Sequence, residues 1–230
     1  MKILLWDLET MGFDFSADKG WILCASWKWL GEKEVHTVEY KRPRNDYGVC
    51  LRMARLLEEA DMHVTWNGKS FDMRFLATRM LKHRLGYLPP VPHEDGLLTA
   101  RRHLKMRRSL DNVAKFFEFD EQKSPVSFET WFDAGLGDKK AMQYVVKHCE
   151  KDVLVLEEAY KLLGPLSKVH PNVSGEEGRC PFCGGKDLQK RGRVCALRHY
   201  RIRYHCRCGR WSTSAPMRLR ASGTRVSEGA

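Results

Sequence analysis

Residues 2–10 read Lys2-Ile3-Leu4-Leu5-Trp6-Asp7-Leu8-Glu9-Thr10, an apolar run that meets two acids spaced two apart. A short apolar run of this kind is the pattern of a buried strand. On a strand, residues i and i+2 share a face, so Asp7 and Glu9 project together from its end. Two carboxylates on one face repel each other and are costly to bury unless a cation lies between them. The stretch predicts a central strand with a candidate cation site at its C-terminal end. Trp21–Leu30 and Val35–Tyr40 read as further strands, and the short connections make the three successive and antiparallel.

The rest of the first 164 residues predicts a mixed α/β domain with the first strand central. Val49–Ala60 has helical spacing through Leu51, Ala54, Leu56 and Leu57. Met62–Trp66 reads as a short buried strand. Ser70–Leu85 predicts a helix with Phe71, Phe75, Leu76 and Met80 on one face. Gly86–His93 holds three prolines and reads as a loop. Leu97–Leu104 and Leu110–Phe117 read as short helices, the second with Ser109 as N-cap. Asp138–Leu163 is the longest helical pattern, with Asp138 as cap and Gly164-Pro165 as stop. Residues 165–178 are rich in Gly, Pro and Ser and read as a linker. A small module at 179–220 follows, and 221–230 reads as a frayed tail.

Charge divides the chain in the same place. The whole sequence carries 40 Lys/Arg against 29 Asp/Glu, a net charge of +11. Residues 165–230 hold 14 Lys/Arg and 4 Asp/Glu, so nearly all of the excess sits in the last third. A local excess of that size favours a polyanion such as nucleic acid. No apolar run approaches the length of a membrane span, and the N-terminus meets an acid too early for a signal peptide. The expectation is a cytoplasmic protein with no membrane partner.

Two more elements carry acids. Asn67-Gly68-Lys69-Ser70-Phe71-Asp72 follows a strand and opens a helix, which puts Asp72 in the first turn, where the helix dipole favours an acid. Asp72 is either a helix-start acid or a ligand on that ground. His148-Cys149-Glu150-Lys151-Asp152 lies inside the long helix. His148 and Asp152 are i and i+4 and stack on one face, among Val145, Val146, Cys149, Val153 and Leu156. An acid in such surroundings needs a partner or a metal. Glu150 and Lys151 are expected to face solvent.

Asp-x-Glu, Asn-x-x-x-Phe-Asp and the final Asp152, in that order, resemble the DEDD superfamily of 3′–5′ exonucleases, which has a ribonuclease H-like fold. Trp6–Thr10, Trp66–Asp72, Ser109-Leu110-Asp111-Asn112 and Cys149–Leu154 look most like exonucleases related to the proofreading domain of family-B DNA polymerases. The likeness is to a stand-alone phage or bacterial enzyme. It implies that Asp7, Glu9, Asp72 and Asp152 bind two Mg²⁺ or Mn²⁺ ions, with Glu9 also contacting the terminal 3′ hydroxyl. Four carboxylates suit such hard ions. The family places a Tyr four residues before the last Asp, or a His five before it. Here His148 stands at the tyrosine spacing. His148 is the candidate general base, with Tyr144, one turn earlier, as the alternative.

Five of the eight cysteines fall between 180 and 208. Cys180-Pro181-Phe182-Cys183 and Cys206-Arg207-Cys208 stand 22 residues apart, close to zinc-ribbon spacing, and predict one structural Zn²⁺. The second pair is Cys-x-Cys, so His205 competes with Cys206 for the fourth position. Thiolate favours Cys206. Cys195 lies outside both pairs. Between them Arg193, Arg198, Arg201 and Arg203 offer phosphate contacts, and Tyr200 and Trp211 offer stacking surfaces for bases. The expected function is a two-metal 3′–5′ exonuclease with a zinc-ribbon clamp. It would act on DNA more than RNA, release nucleoside 5′-monophosphates and work beside replication or repair proteins. A structure-selective endonuclease on the same fold and a non-catalytic nucleic-acid-binding adaptor are the alternatives.

Overall fold

β1 (Ile3–Met11) is the middle strand of a five-stranded mixed sheet of order β3-β2-β1-β4-β5. The computed structural model describes residues 2–11, 16–121, 126–168, 170, 172, 176, 178–195 and 199–218. β2 (Trp21–Trp29) and β3 (His36–Glu39) extend the sheet antiparallel on one side. β4 (Met62–Thr65) and β5 (His93–Asp95) extend it parallel on the other. Parallel neighbours need crossovers, and here these are α1 (Tyr47–Glu59) before β4 and α2 (Asp72–Lys82) before β5. α3 (Gly96–His103), α4 (Leu110–Phe116), α5 (Phe128–Leu136) and α6 (Lys139–Leu163) follow. This is the mixed α/β, ribonuclease H-like architecture that the sequence predicts. The chain divides into two compact units, Met1–Leu166 and Ser167–Ala230.

The period of two along β1 sorts its side chains between two layers. Leu4, Trp6 and Leu8 pack into one core with Met53 and Leu57 of α1 and Phe75, Leu76 and Met80 of α2. Met11, from the alternate set, packs into a second core with Met142, Val145 and Cys149 of α6. Asp7 and Glu9 belong to that alternate set and therefore face α6. Leu4, Leu5 and Trp6 are completely buried, each worth roughly 1.5–3 kcal/mol against exposure, so the strand is anchored just before its acids. The pairing passes from Glu9↔Cys24 to Thr10↔Ile22, so Leu23 of β2 forms a bulge opposite the last acid. Bulges re-aim side chains at strand ends.

A buried ion pair supports the α1–α2 side. The Asp46 carboxylate accepts from Arg79 Nε (2.7 Å) and Nη2 (2.8 Å), from the Ile22 N–H (2.9 Å) and from His83 (2.6 Å). Burial works against its charge, but Arg79, the Ile22 amide and His83 hold the Asp46 carboxyl below the usual range. On the other face Lys28 of β2 meets Glu157 of α6 at 2.5 Å, and Thr37 of β3 donates to Glu150 at 2.9 Å. Glu150 therefore ties α6 to the sheet edge rather than facing free solvent.

Within the sheet and its helices, β5 and α5 are elements the sequence does not announce. β5 stands at the end of the proline-rich loop, where three residues are too few to show a period. α5 occupies a stretch whose pattern predicts no element. α2 begins at Asp72 rather than Ser70, because Ser70 is held in the preceding turn, its hydroxyl on Asn67 Oδ1 at 2.6 Å.

The second unit is a small antiparallel sheet. β6 (Leu188–Cys195) pairs with β7 (His199–Cys206), which also pairs with β8 (Trp211–Thr213) and β9 (Met217–Arg218). Part of the expected linker joins it: the Thr213 N–H bonds the His170 carbonyl (2.9 Å) and the Asn172 N–H bonds the Thr213 carbonyl (3.1 Å). Arg198 and the expected tail 221–230 lie outside the described residues.

Candidate active site and metal centre

Three elements bring acids to the end of β1. β4 pairs with β1 only over Ile3–Leu5, so β1 runs on past its parallel neighbour. The Leu8 N–H hydrogen-bonds the Asp72 carboxyl at the start of α2. That turn is held from β5: Asp95 accepts from the Asn67 N–H (2.9 Å) and Leu97 N–H (3.1 Å) on one oxygen and from the Lys69 N–H (3.0 Å) on the other. Asn67 has a φ of 69°, in the left-handed region that Asn tolerates. Gly68 has no room for a Cβ, which would lie 2.1 Å from Thr65 Oγ1. The Asn-Gly pair is thus dictated by the turn that delivers Asp72.

α6 supplies the opposite wall. Donor atoms of Glu9, His148 and Asp152 all lie within 4.8 Å of one another, as do those of Asp7, Glu9 and Cys149. His148 Nε2 stands 3.7 Å from Glu9 Oε1 and 3.8 Å from Asp152 Oδ2. Asp72 lies outside both clusters and meets β1 at Leu8. Glu9, Asp72 and Asp152 are 9%, 3% and 5% exposed. Burial, with the neighbouring Asp95 charge, pushes the Asp72 carboxyl up to about 7. Crowded, buried carboxylates of this kind fit hard divalent cations, whose charge would relieve the desolvation. Cys149, whose sulfur lies 3.6 Å from the Asp7 carbonyl, is no competitor, since burial raises its thiol well above the usual range.

The expected alternative base, Tyr144, is 58% exposed, whereas His148 is 9% exposed and lies among the acids. Trp131 of α5 packs edge-on against the His148 ring, with centroids 5.3 Å apart. Asp7 and Asp152 line one cleft of about 530 Å³ with Trp66, Asn67, Arg101, Arg108 and Ser109. Trp131, Asp95, Arg101 and Arg108 are site residues that sequence reasoning missed. The signal for the arginines is the basic run from Arg101 to Arg108. Nothing in the pattern singles out the other two.

In the second unit the sulfurs of Cys180, Cys183, Cys206 and Cys208 lie within 4.8 Å of one another. Cys180 and Cys208 are 3.8 Å apart, Cys183 and Cys206 3.6 Å. Tetrahedral zinc with Zn–S near 2.3 Å sets sulfurs about 3.8 Å apart, so the four thiols fit that ion. The Gly185 N–H and neighbouring cysteines lower the Cys183 thiol to about 7. His205 packs at a tilt against Trp211, with ring centroids 4.6 Å apart, and Cys195 lies exposed on β6; the cluster is the four cysteines alone among the described residues. The arginines meet the aromatic rings: Arg193 lies 4.9 Å over Tyr200 and Arg203 5.8 Å over Trp211. Arg201 Nη1 donates to the Ser214 carbonyl at 3.4 Å.

Among the described residues no helix is long and apolar enough to cross a membrane. No curated protein matches the chain. Among solved structures, it is similar to the family B DNA polymerase from the hyperthermophilic archaeon Pyrobaculum calidifontis, with a TM-score of 0.57 and 17% identity. The match covers 72% of this chain and 25% of the polymerase, so the chain spans about a quarter of that protein's length. At this identity the likeness is one of fold. The family model of the RNase_H superfamily matches residues 4–164, from β1 to the end of α6. With that match over most of the chain, and with acids from β1, α2 and α6 gathered at the end of the central strand, this chain belongs to the RNase H superfamily.

Proposed function

We propose that this chain is a metal-dependent 3′–5′ exonuclease that acts on DNA in preference to RNA and releases nucleoside 5′-monophosphates. The observation that carries the reading is the meeting of Glu9, His148 and Asp152 within 4.8 Å, with Asp7 beside Glu9 and Asp72 on the adjoining backbone. Asp7, Glu9, Asp72 and Asp152 would hold two Mg²⁺ or Mn²⁺ ions. Those ions would supply positive charge for the phosphate oxygens and acidify the attacking water. His148 accepts the proton of that water through Nε2, and Trp131 keeps the ring from turning away. The water oxygen bonds to phosphorus as the bond to the 3′ oxygen breaks; the 3′ oxygen takes a proton from solvent, which His148 later replenishes, so a 5′-monophosphate departs and a new 3′ hydroxyl remains on the strand. Glu9 accepts a hydrogen bond from the terminal 3′ hydroxyl. Cys180, Cys183, Cys206 and Cys208 would hold one zinc, and the ribbon's Arg193, Arg198, Arg201, Arg203, Tyr200 and Trp211 grip the strand. Replication or repair proteins are the expected partners.

The test is a Mg²⁺ time course on 5′-labelled single- and double-stranded DNA and RNA. The expected result is a ladder that shortens one nucleotide at a time from the 3′ end, abolished by Asp7→Asn with binding retained. Equal cleavage of a 3′-blocked strand would point to an endonuclease. Undiminished release by the Asp7→Asn variant would remove the site.

A further inference from the structure

Two cations share the cleft with the acids, and hydrolysis at the metal centre leaves them without a task. Arg101 stands in the last turn of α3, and Arg108 follows it on the segment that leads to α4. Both line the cleft that Asp7 and Asp152 line. Among the described residues neither guanidinium pairs with a carboxylate. Arg108 instead donates from Nη1 to the Leu104 carbonyl at 3.4 Å, which uses one of its five donors. Its backbone is fixed as well: the Trp66 indole N–H bonds the Arg108 carbonyl at 3.2 Å, and the Trp66 ring lies across Gly96, where a Cβ would come within 2.6 Å. Arg108 is therefore held at the cleft wall with most of its donors uncommitted.

We propose that Arg101 and Arg108 form a phosphate subsite for the phosphodiester next to the scissile one. The inference rests on the hydrolase reading above and extends it. Guanidiniums bind phosphate through paired, charge-assisted hydrogen bonds. A strand cut at its last linkage has only one neighbouring phosphate, on the 5′ side, because the other side ends in the 3′ hydroxyl. The arginines thus fix the strand's direction in the cleft and select substrates of at least three nucleotides.

The test compares short single strands bearing one neutral methylphosphonate, at the second linkage from the 3′ end or at a control linkage nearer the 5′ end. Affinity is read by fluorescence anisotropy on the full chain with Ca²⁺, and KM and kcat with Mg²⁺. The native protein is expected to lose roughly tenfold in affinity for the second-linkage substitution and little for the control. Arg101→Gln/Arg108→Gln should bind both strands alike, with KM raised more than kcat is lowered. If the double variant fails to fold, Arg101→Gln alone, at an exposed helix position, should lose part of the discrimination. Indifference of the native protein to the second linkage, or undiminished discrimination by the variants, overturns the subsite. Discrimination in binding without nucleotide release in Mg²⁺ would instead overturn the hydrolase reading and leave the subsite standing.

Discussion

Two stacked histidines make the sheet acid-sensitive close to the candidate site. His63 of β4 is 1% exposed, and its ring stacks on His93 of β5 with centroids 3.9 Å apart. The Trp6 indole N–H donates to His63 Nδ1 at 3.1 Å, so that nitrogen must carry no proton. Burial, helped by the His93 and Lys69 charges, drives His63 down to about 2, and burial with Lys69 drives His93 down to about 3. In the unfolded chain each titrates near 6.5. Below that pH the unfolded state takes protons that the native state refuses, so stability is full above pH 6.5 and falls as the pH drops toward 3. At pH 5 the loss is roughly 2 kcal/mol for His63 and somewhat less for the half-buried His93. Urea unfolding at pH 7.5 and 5.0 measures it, with the His63→Gln/His93→Gln variant as reference, since all other groups titrate in both proteins. The native protein should lose about 3 kcal/mol more than the variant between the two pH values. An equal loss in both would refute the argument.

Three further outcomes are expected. His148→Ala should lower kcat by about two orders of magnitude with single-strand binding retained, while Tyr144→Phe stays near native. The reverse pattern would make Tyr144 the base. Replacing Arg193 and Arg201 by Gln should reduce the salt slope of single-strand binding by about 1.4, some 0.7 for each phosphate no longer neutralised. An unchanged slope would take both residues out of the clamp. Cys183→Ser should cut bound zinc well below one per chain and lower the melting temperature of the ribbon, whereas Cys195→Ser should retain the metal. Loss of zinc in the second variant would show that the ligand set is wrong.

Much of this architecture is legible because it is written in short-range patterns. β1 shows its period of two and its terminal acids, and α6 shows its cap: the Asp138 side chain accepts from the Ala141 N–H as its position suggests. α5 escapes because its Phe, Thr and Trp residues are poor helix formers. Yet its end signals are present, Ser127 accepting from the Thr130 N–H and Gly137 ending the helix at a φ of 104°. The acids of the candidate site are legible because each stands at an element boundary or in a short motif. The residues that orient them are not. Asp95 acts from a three-residue strand and Trp131 from α5; away from the site, Arg79, which holds Asp46, likewise reads as one more basic position on α2 although it is 1% exposed. Apart from the local Leu97 N–H that Asp95 caps, their partners lie between 17 and 62 residues away, a distance at which periodicity carries no information.

The alternation along β1 has a consequence for how this protein can vary. The same nine residues furnish the filling of one layer and the reactive groups of the other. A single-residue insertion or deletion before Asp7 would turn the ribbon of side chains over, pushing carboxylates into oil and leucines into the groove. The reading frame of this segment is locked: an indel there would extinguish folding and chemistry in one stroke.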